Sequence, residues 1–331
     1  MEYTEETDPE YLATREELND PDCFWVKPTD YSSVPCQAKD WEPLPCFLPK
    51  QYATMAQRIK DLPVRPDDVW VASYPKSGTT WTQEMMWLIC NDLDYERARS
   101  ITLDDRFPFL EVGSVIPGGS DSVKIVEEME SPRFIKTHLP VALMPDQFWT
   151  AKPKLVYVYR KAKPVSVSFY HHYQTLTDYR GSIEQFVKSF INDRVLFSPY
   201  HEHILEFKAL QGLDNILVIN YEDMKKDLKS NVLKVCAFFN KTYTDEQIEE
   251  LCKHLSFDSM KKNPSVNYDQ VINKLLTFSN RLHEKEEANR KFIRKGEIDG
   301  WKSDLTDESA NKIDEWTRSK ITSPEQLKLF L

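Results

Sequence analysis

The run Lys76-Ser77-Gly78-Thr79-Thr80 carries the residue types best suited to holding an anion. A tight turn that follows a strand and opens a helix leaves several backbone N–H groups facing one point, and the helix dipole adds to the attraction for negative charge. Gly78 lets a ligand approach the backbone closely, the three hydroxyls can donate, and Lys76 brings a cation. An ordinary strand-to-helix turn fits the same five residues, and on their own they leave both readings open. The run is not a Walker loop, because the dipeptide Gly-Lys occurs nowhere in the chain; GxGxxG and GxSxG are absent as well. The implied site therefore takes an anion without the usual triphosphate or dinucleotide signature. Metal chemistry has weaker support. The six cysteines form no CxxC pair, and His201-Glu202-His203 sets adjacent side chains on different faces of a helix, so no metal is expected.

For such a turn to work, a strand must lead in and a helix must lead out. Residues 67–73, Asp67-Asp68-Val69-Trp70-Val71-Ala72-Ser73, form a short apolar run of the kind a buried parallel strand shows. Tyr74 to Gly78 is the turn, and Thr79 to Cys90 reads as the helix. The same grammar recurs at 133–136, at 154–160 followed by a helix over 162–175, and at 215–220 followed by one over 223–239. Strands alternating with helices predict an α/β fold, a central parallel sheet flanked by helices on both faces. Further helices are predicted at 182–192, 199–210, 244–254 and 306–320. An amphipathic helix is expected from Gln51, with Tyr52, Met55 and Ile59 on one face, stopping before Pro63. Residues 104–131, with Gly113, Pro117, Gly118 and Gly119, and the charge-dense stretch 262–300 read as loops, and so as candidate lids over a substrate.

Composition bounds the rest. With 331 residues, 40% of them hydrophobic and 12% aromatic, the chain can bury a sizeable core and is not a disordered polymer. Its net charge of −10 argues against a general nucleic-acid binder, whose affinity comes from Lys and Arg on phosphates. The charge is uneven: residues 1–50 hold 12 acidic and 4 basic side chains and 7 of the 20 prolines. They read as an acidic, Pro-rich, mostly irregular extension anchored by Phe24, Trp25 and Trp41: a pocket lid, a partner surface or, most simply, a solvated tail. Neither a membrane span of roughly 18 apolar residues nor a basic-then-apolar leader is visible. A soluble cytoplasmic protein with free thiols is expected, which would leave the sequon Asn240-Lys241-Thr242 unused.

Tyr74-Pro75-Lys76-Ser77-Gly78-Thr79-Thr80-Trp81 closely resembles the 5′-phosphosulfate loop of the cytosolic sulfotransferases, enzymes that use 3′-phosphoadenosine 5′-phosphosulfate (PAPS). Lys136-Thr137-His138-Leu139-Pro140 resembles their catalytic-histidine segment, and Arg160 with Ser168 resembles their 3′-phosphate pair. Tyr221-Glu222-Asp223-Met224, and Ser256-Phe257 with Met260-Lys261, resemble nucleotide-side segments. Phe292-Ile293-Arg294-Lys295-Gly296 resembles the closing Arg-Lys-Gly loop. The matches run in family order from about Val69 to Trp301, and Trp87-Leu88-Ile89 with Asn91-Asp92-Leu93 looks most like insect members. The resemblance implies a single domain over 51–331 with a P-loop-like central parallel β-sheet, residues 1–50 lying outside the shared pattern.

By that resemblance, Lys76, Ser77, Gly78, Thr79 and Thr80 take the 5′ end of PAPS. Arg160 and Ser168 take its 3′-phosphate, with Arg294, Lys295 and Gly296 closing over it; a guanidinium suits phosphate because it binds in two-pronged fashion. Trp81 and Phe257 offer flat surfaces to adenine, stacking worth about 1–3 kcal/mol per base. Met260 belongs to the same side, and Tyr221 adds a polar edge contact. The implied chemistry is in-line sulfuryl transfer to a hydroxyl or amine, with His138 as general base, a role that contributes about 10²–10⁴-fold. Lys76 and Lys136 meet the charge that develops, and Ser168 restrains Lys76 until acceptor binds.

Arg106-Phe107-Pro108-Phe109-Leu110-Glu111 resembles the substrate gate. It makes Phe109 a wall of the acceptor pocket, although core packing explains such a phenylalanine equally well. Tyr268 is a second wall, while Val112 and His172 stand where relatives carry aromatics, giving a roomier or more polar pocket. Lys161, Pro164 and Leu255 depart from the family pattern and put individual nucleotide contacts in question. The dimer motif is partial: Lys302 and Thr306 match, Asp307 and Asn311 do not, so a homodimer through the C-terminal region has weak support.

The expected activity is sulfation of a small phenol, sterol or other alcohol, in detoxification or small-molecule metabolism, with no metal, nucleic-acid or membrane partner. Two alternatives share the residues: a sulfonation-coupled dehydratase of a retinol-like allylic alcohol, and a non-catalytic small-molecule-binding module.

Overall fold

The computed structural model describes residues 1–35, 40–116, 121–278 and 291–331. Pro117, Gly118, Gly119 and residues 279–290 of the expected lids lie outside the described residues. Three strands near the N-terminus, β1 (Glu2–Glu5), β2 (Cys23–Lys27) and β3 (Cys46–Pro49), form an antiparallel sheet in that order. A four-stranded parallel sheet follows, from β4 (Val69–Ala72), β5 (Phe134–Thr137), β6 (Lys154–Tyr159) and β7 (Ile216–Asn220), in the order β5-β4-β6-β7.

The parallel strands are mostly apolar because both faces are covered, with Lys136, Thr137 and Asn220 at the ends that face the site. Side chains alternate along a strand, so Trp70 and Ala72 of β4 join one hydrophobic core while Val69 and Val71 join the other. In β6, Leu155, Tyr157 and Tyr159 go to the first core, and Val156 and Val158 to the second. The expected strands and the helices Thr79–Cys90, Ala162–Leu176, Ile183–Ile191, Tyr200–Ala209, Asp245–His254 and Asp307–Lys320 are present within a residue or two.

Residues 1–50 are not the mostly irregular tail that their charge and prolines imply. Besides the three strands they hold a helix, Pro9–Leu18, capped by Asp8, whose carboxylate accepts from the Tyr11 N–H at 2.9 Å. Phe24, Val26, Cys46, Phe47 and Leu48 are buried in the same core as Trp70. β2 and β3 are largely apolar but only five and four residues long, too short for periodicity to stand out among the prolines.

Four other expectations need correction. Residues 104–131 contain short helices at Leu103–Arg106, Val112–Val115 and Ser122–Glu128, the last capped by Asp121. Residues 262–300 contain a helix at Asp269–Phe278. The helix expected over 223–239 is two, Tyr221–Lys226 and Leu228–Phe238, divided at Asp227, which caps the second through its carboxylate. The segment from Gln51 is a 3₁₀ turn, Lys50–Thr54, followed by a short helix, Ala56–Lys60.

Candidate active site

In an open parallel sheet, ligands bind beyond the carboxyl ends of the strands. All four strands here end on predicted site residues. β4 leads through Ser73 into the Lys76–Thr80 turn, β5 ends one residue before His138, β6 one before Arg160, and β7 one before Tyr221. They open on a cavity of about 530 Å³. Of the residues singled out in the sequence, Lys76, Gly78, Thr79, Thr80, Trp81, Phe109, Val112, Lys136, His138, Arg160, Ser168, His172, Tyr221, Phe257, Met260, Tyr268, Arg294, Lys295 and Gly296 all line it. Ser77 is the exception. The residue is fully buried and its hydroxyl has no partner, so the side chain is not presented to a ligand.

The anion turn owes its shape to two left-handed residues, Lys76 at φ +66° and Gly78 at φ +105°. A Cβ on Gly78 would stand 2.6 Å from the Tyr221 ring, so the ring and the turn pack as one unit. The Arg160 guanidinium lies over that ring at 4.2 Å and reaches the carbonyls of Lys76 and Glu297 through bonds of 3.4 Å, while its Nε is buried without a partner. Burial and the nearby Lys136, Arg160 and Arg294 push Lys76 down to about 7. Burial also lowers Lys136, partly offset by Asp104 and Glu111. Several cations sharing one partly desolvated cavity favour a polyanionic ligand.

His138 is held on three sides. Its Nδ1–H donates to the Ser73 carbonyl at 2.7 Å, which leaves Nε2 as the ring's acceptor toward the cavity. Its backbone N–H donates to Glu111, whose other oxygen accepts from Thr137 Oγ1 at 2.9 Å. Its carbonyl accepts from His203 Nε2–H at 2.9 Å, and His203 Nδ1 accepts from Tyr157 OH at 2.8 Å. Burial, with Lys136 nearby, lowers the His138 pKa well below the usual histidine value, so the ring is neutral at pH 7. Glu111 is fully buried and pushed up to about 7 by desolvation.

On the side that the resemblance assigns to the nucleotide, the Trp81 indole is fixed by a 2.8 Å bond from Nε1 to the Leu255 carbonyl. A Cβ on Gly296, at φ +63°, would stand 2.1 Å from the Phe257 ring, so the Arg-Lys-Gly loop rests directly on that ring. Asp304 anchors the loop, accepting from Lys295 at 2.9 Å and Arg294 at 3.5 Å. The expected polar contact from Tyr221 is not the prominent feature of that residue; its ring supports Gly78 and Arg160.

On the other side of His138, Phe109 lies 5.0 Å from the imidazole and beneath Lys136 Nζ at 4.3 Å, so it is a cavity wall rather than only core. Phe197 faces the same imidazole at 5.5 Å. Tyr268 donates to Asp104 at 2.8 Å, and His172 meets the edge of Phe292 at 5.6 Å. Lys76 Nζ rests over Phe292 at 3.8 Å.

Ser73, His203, Tyr157, Phe197, Phe292, Asp104 and Asp304 were not singled out for these tasks. Glu111 did carry a signal, a carboxylate ending an apolar run, and His203 stood in the histidine pair set aside for metal. His201 instead lies 3.2 Å from Thr317 Oγ1, and the two imidazoles serve separate neighbours. Among the described residues, Cys23, Cys46, Cys90, Cys236 and Cys252 are free thiols.

Comparison with known proteins matches the sulfotransferase domain family over residues 66–328. Luciferin sulfotransferase of Photinus pyralis is 36% identical over 287 residues, covering 82% of this chain and 76% of that protein. A solved structure of retinol dehydratase with androsterone and inactive cofactor PAP superposes with a TM-score of 0.79 at 27% identity, covering 98% of each chain. A second, of retinol dehydratase with retinol and PAP, gives 0.77 at 28% identity, covering 96% of each.

Proposed function

The chain belongs to the sulfotransferase domain family, and from that premise we propose that it transfers a sulfuryl group from PAPS to a hydroxyl or amine of a small apolar acceptor, with His138 as the general base. The observation that carries this is the pinned imidazole: Nδ1–H held by Ser73, neutral at pH 7, its Nε2 toward a cavity lined by Lys76 and Lys136.

The residues present fit the donor. The left-handed turn, the unpartnered Arg160 Nε, and the two aromatic platforms, Trp81 and Phe257, supply the polar and flat partners that a sulfated adenosine phosphate needs. When bound, PAPS supplies an activated sulfuryl group on a phosphate leaving group. Lys76 and the N–H groups of the turn would hold its 5′ end, and Arg160, Ser168, Arg294 and Lys295 its 3′-phosphate. Nε2 of His138 takes the acceptor's proton as the oxygen or nitrogen attacks, while Lys76 and Lys136 balance negative charge. Phe109, Val112, His172 and Tyr268 shape the acceptor side.

A second outcome uses the same machinery. The likeness to retinol dehydratase over nearly the whole of both chains supports elimination after sulfonation when the acceptor is an allylic alcohol. A cytoplasmic location accompanies the reading, as does a homodimer in which the exposed Lys302, Thr306, Asp307 and Asn311 would meet a second copy. Incubation with labelled PAPS and a panel of phenols, sterols, retinoids and monoamines is the test. Transfer of label to any of them supports the proposal, and mass analysis distinguishes sulfate ester from dehydrated product. A protein that binds PAPS and transfers to none would be a binding module, and failure to bind PAPS would overturn the reading entirely.

A further inference from the structure

None of the described residues of 1–50 lines the cavity, yet three of their contacts end on the stretch of chain that forms its acceptor wall. That wall includes Tyr173, Leu176 and Thr177, at the end of the helix Ala162–Leu176, together with Leu196 and Phe197. The last carbonyls of a helix have no intrahelical partner. Here the Thr177 carbonyl accepts from the Asn19 side-chain amide at 2.6 Å, and the Arg180 N–H donates to the Leu18 carbonyl at 2.9 Å. The end of the N-terminal helix thus clasps the end of the cavity helix.

The second contact is an ion pair. Glu6, 8% exposed, accepts from Arg194 Nε at 3.1 Å and from Trp25 Nε1 at 3.1 Å, and Arg194 also meets Asp8 at 3.3 Å. The third is backbone pairing. Phe47 of β3 donates to the Ser198 carbonyl at 2.9 Å, and its own carbonyl accepts from the Phe197 N–H at 2.8 Å. Phe197 is the ring that faces His138. The wall is therefore tied to the N-terminal segment at its beginning, near its end and at its last residue.

We propose that residues 1–50 are an outer brace that fixes the width of the acceptor pocket, with Asn19 and Glu6 as positioning residues for acceptor selection. The brace touches the acceptor side, and among the described residues none of its hydrogen bonds or ion pairs ends on Lys76, Arg160 or Trp81, so it is expected to act on one substrate only. The inference rests on the sulfotransferase reading above.

Asn19 offers a clean test because it sits at φ +56°, where glycine is unstrained; Asn19→Gly keeps the backbone and removes only the amide. Glu6→Gln is the second variant. Each is expected to raise the acceptor KM about five-fold, the worth of one hydrogen bond, with the KM for PAPS unchanged and the melting temperature nearly so. Amide exchange over 177–181 in Asn19→Gly, and near 194 in Glu6→Gln, should quicken while exchange in β4 and β6 does not.

Faster exchange with an unchanged acceptor KM would overturn the proposal, as would equal rises in both KM values or unaltered exchange. If the parent protein transfers sulfate to no acceptor, the function proposed above fails separately. The brace is then judged by affinity for the apolar dye anilinonaphthalene sulfonate in the cavity: an unchanged affinity in both variants overturns it, and a weakened one supports it.

Discussion

The Nδ1–H of His138 and the carbonyl of Ser73 are 2.7 Å apart, so the strand that leads into the anion turn also fixes the tautomer of the histidine at the end of the neighbouring strand. On the proposed mechanism, donor turn and base are parts of one cross-linked unit, and the imidazole is aimed before any acceptor enters. Substituting His138→Ala should lower kcat by at least about 10²-fold, the low end for a general base, and leave PAP affinity within a few-fold. Turnover with labelled PAPS and calorimetric titration with PAP check both halves.

The supports of that unit should act through it. His203→Phe removes the donor to the His138 carbonyl but keeps an aromatic ring against Tyr157 and Phe207. A fall in kcat of up to about 10²-fold is expected, since small misplacements of a reacting group are costly, with the KM for PAPS unmoved. Steady-state kinetics separate the two constants.

The pH profile follows from the two shifts with opposite consequences. The depressed His138 pKa keeps the base neutral well below pH 6.5, so kcat/KM should show no acid limb near that value. Lys76, pushed down to about 7, loses its positive charge as pH rises, so kcat/KM for PAPS should fall above about pH 7, approaching tenfold per unit. Lys76→Arg should abolish that alkaline limb whatever residual rate it leaves. A rate profile from pH 5 to 10 in constant ionic strength reads both.

On the donor side, Arg160→Ala should weaken PAP binding by about 10- to 100-fold, the worth of a charge-assisted hydrogen bond. Asp304→Asn should have a smaller effect in the same direction, because it loosens the loop that carries Arg294 and Lys295. Neither should alter which acceptors are preferred. Calorimetry and an acceptor panel are the checks.

Gly296→Ala tests the seat of the closing loop. At φ +63° a Cβ costs about 1–2 kcal/mol of backbone strain and would lie 2.1 Å from Phe257. The adenine platform must shift, so PAP affinity should drop several-fold while the acceptor KM stays put.

The parallel strands and their helices were legible because buried strands such as Val69–Ala72 are uninterrupted apolar runs and the following helices keep one period. The anion turn could be read from Lys76 to Thr80 because its glycine and hydroxyls are local. What escaped was long-range. That Asn19 would meet Thr177, or His203 the carbonyl of His138, depends on packing across the molecule, which no local spacing encodes. The N-terminal strands escaped for another reason: acidic residues and prolines concentrate in the connections around Phe24 and Phe47, so the average over 1–50 hid two short buried runs. Ser77 shows the converse, a hydroxyl of the expected type that points into the interior.

On the proposed function, the alternation of side chains along β4 and β6 divides the interior by ligand as well as by geometry. Tyr173, Leu196 and Phe197 pack in the core that holds the N-terminal sheet, whereas Tyr221, Leu255 and Met260 pack in the opposite one, with Trp81 against it. A volume change in one compartment is absorbed first by its own neighbours, with the sheet as a partition. Acceptor preference can thus be remodelled by substitutions in the first compartment at little expense to the nucleotide seat in the second. In this architecture one activated donor can serve a diversity of acceptors.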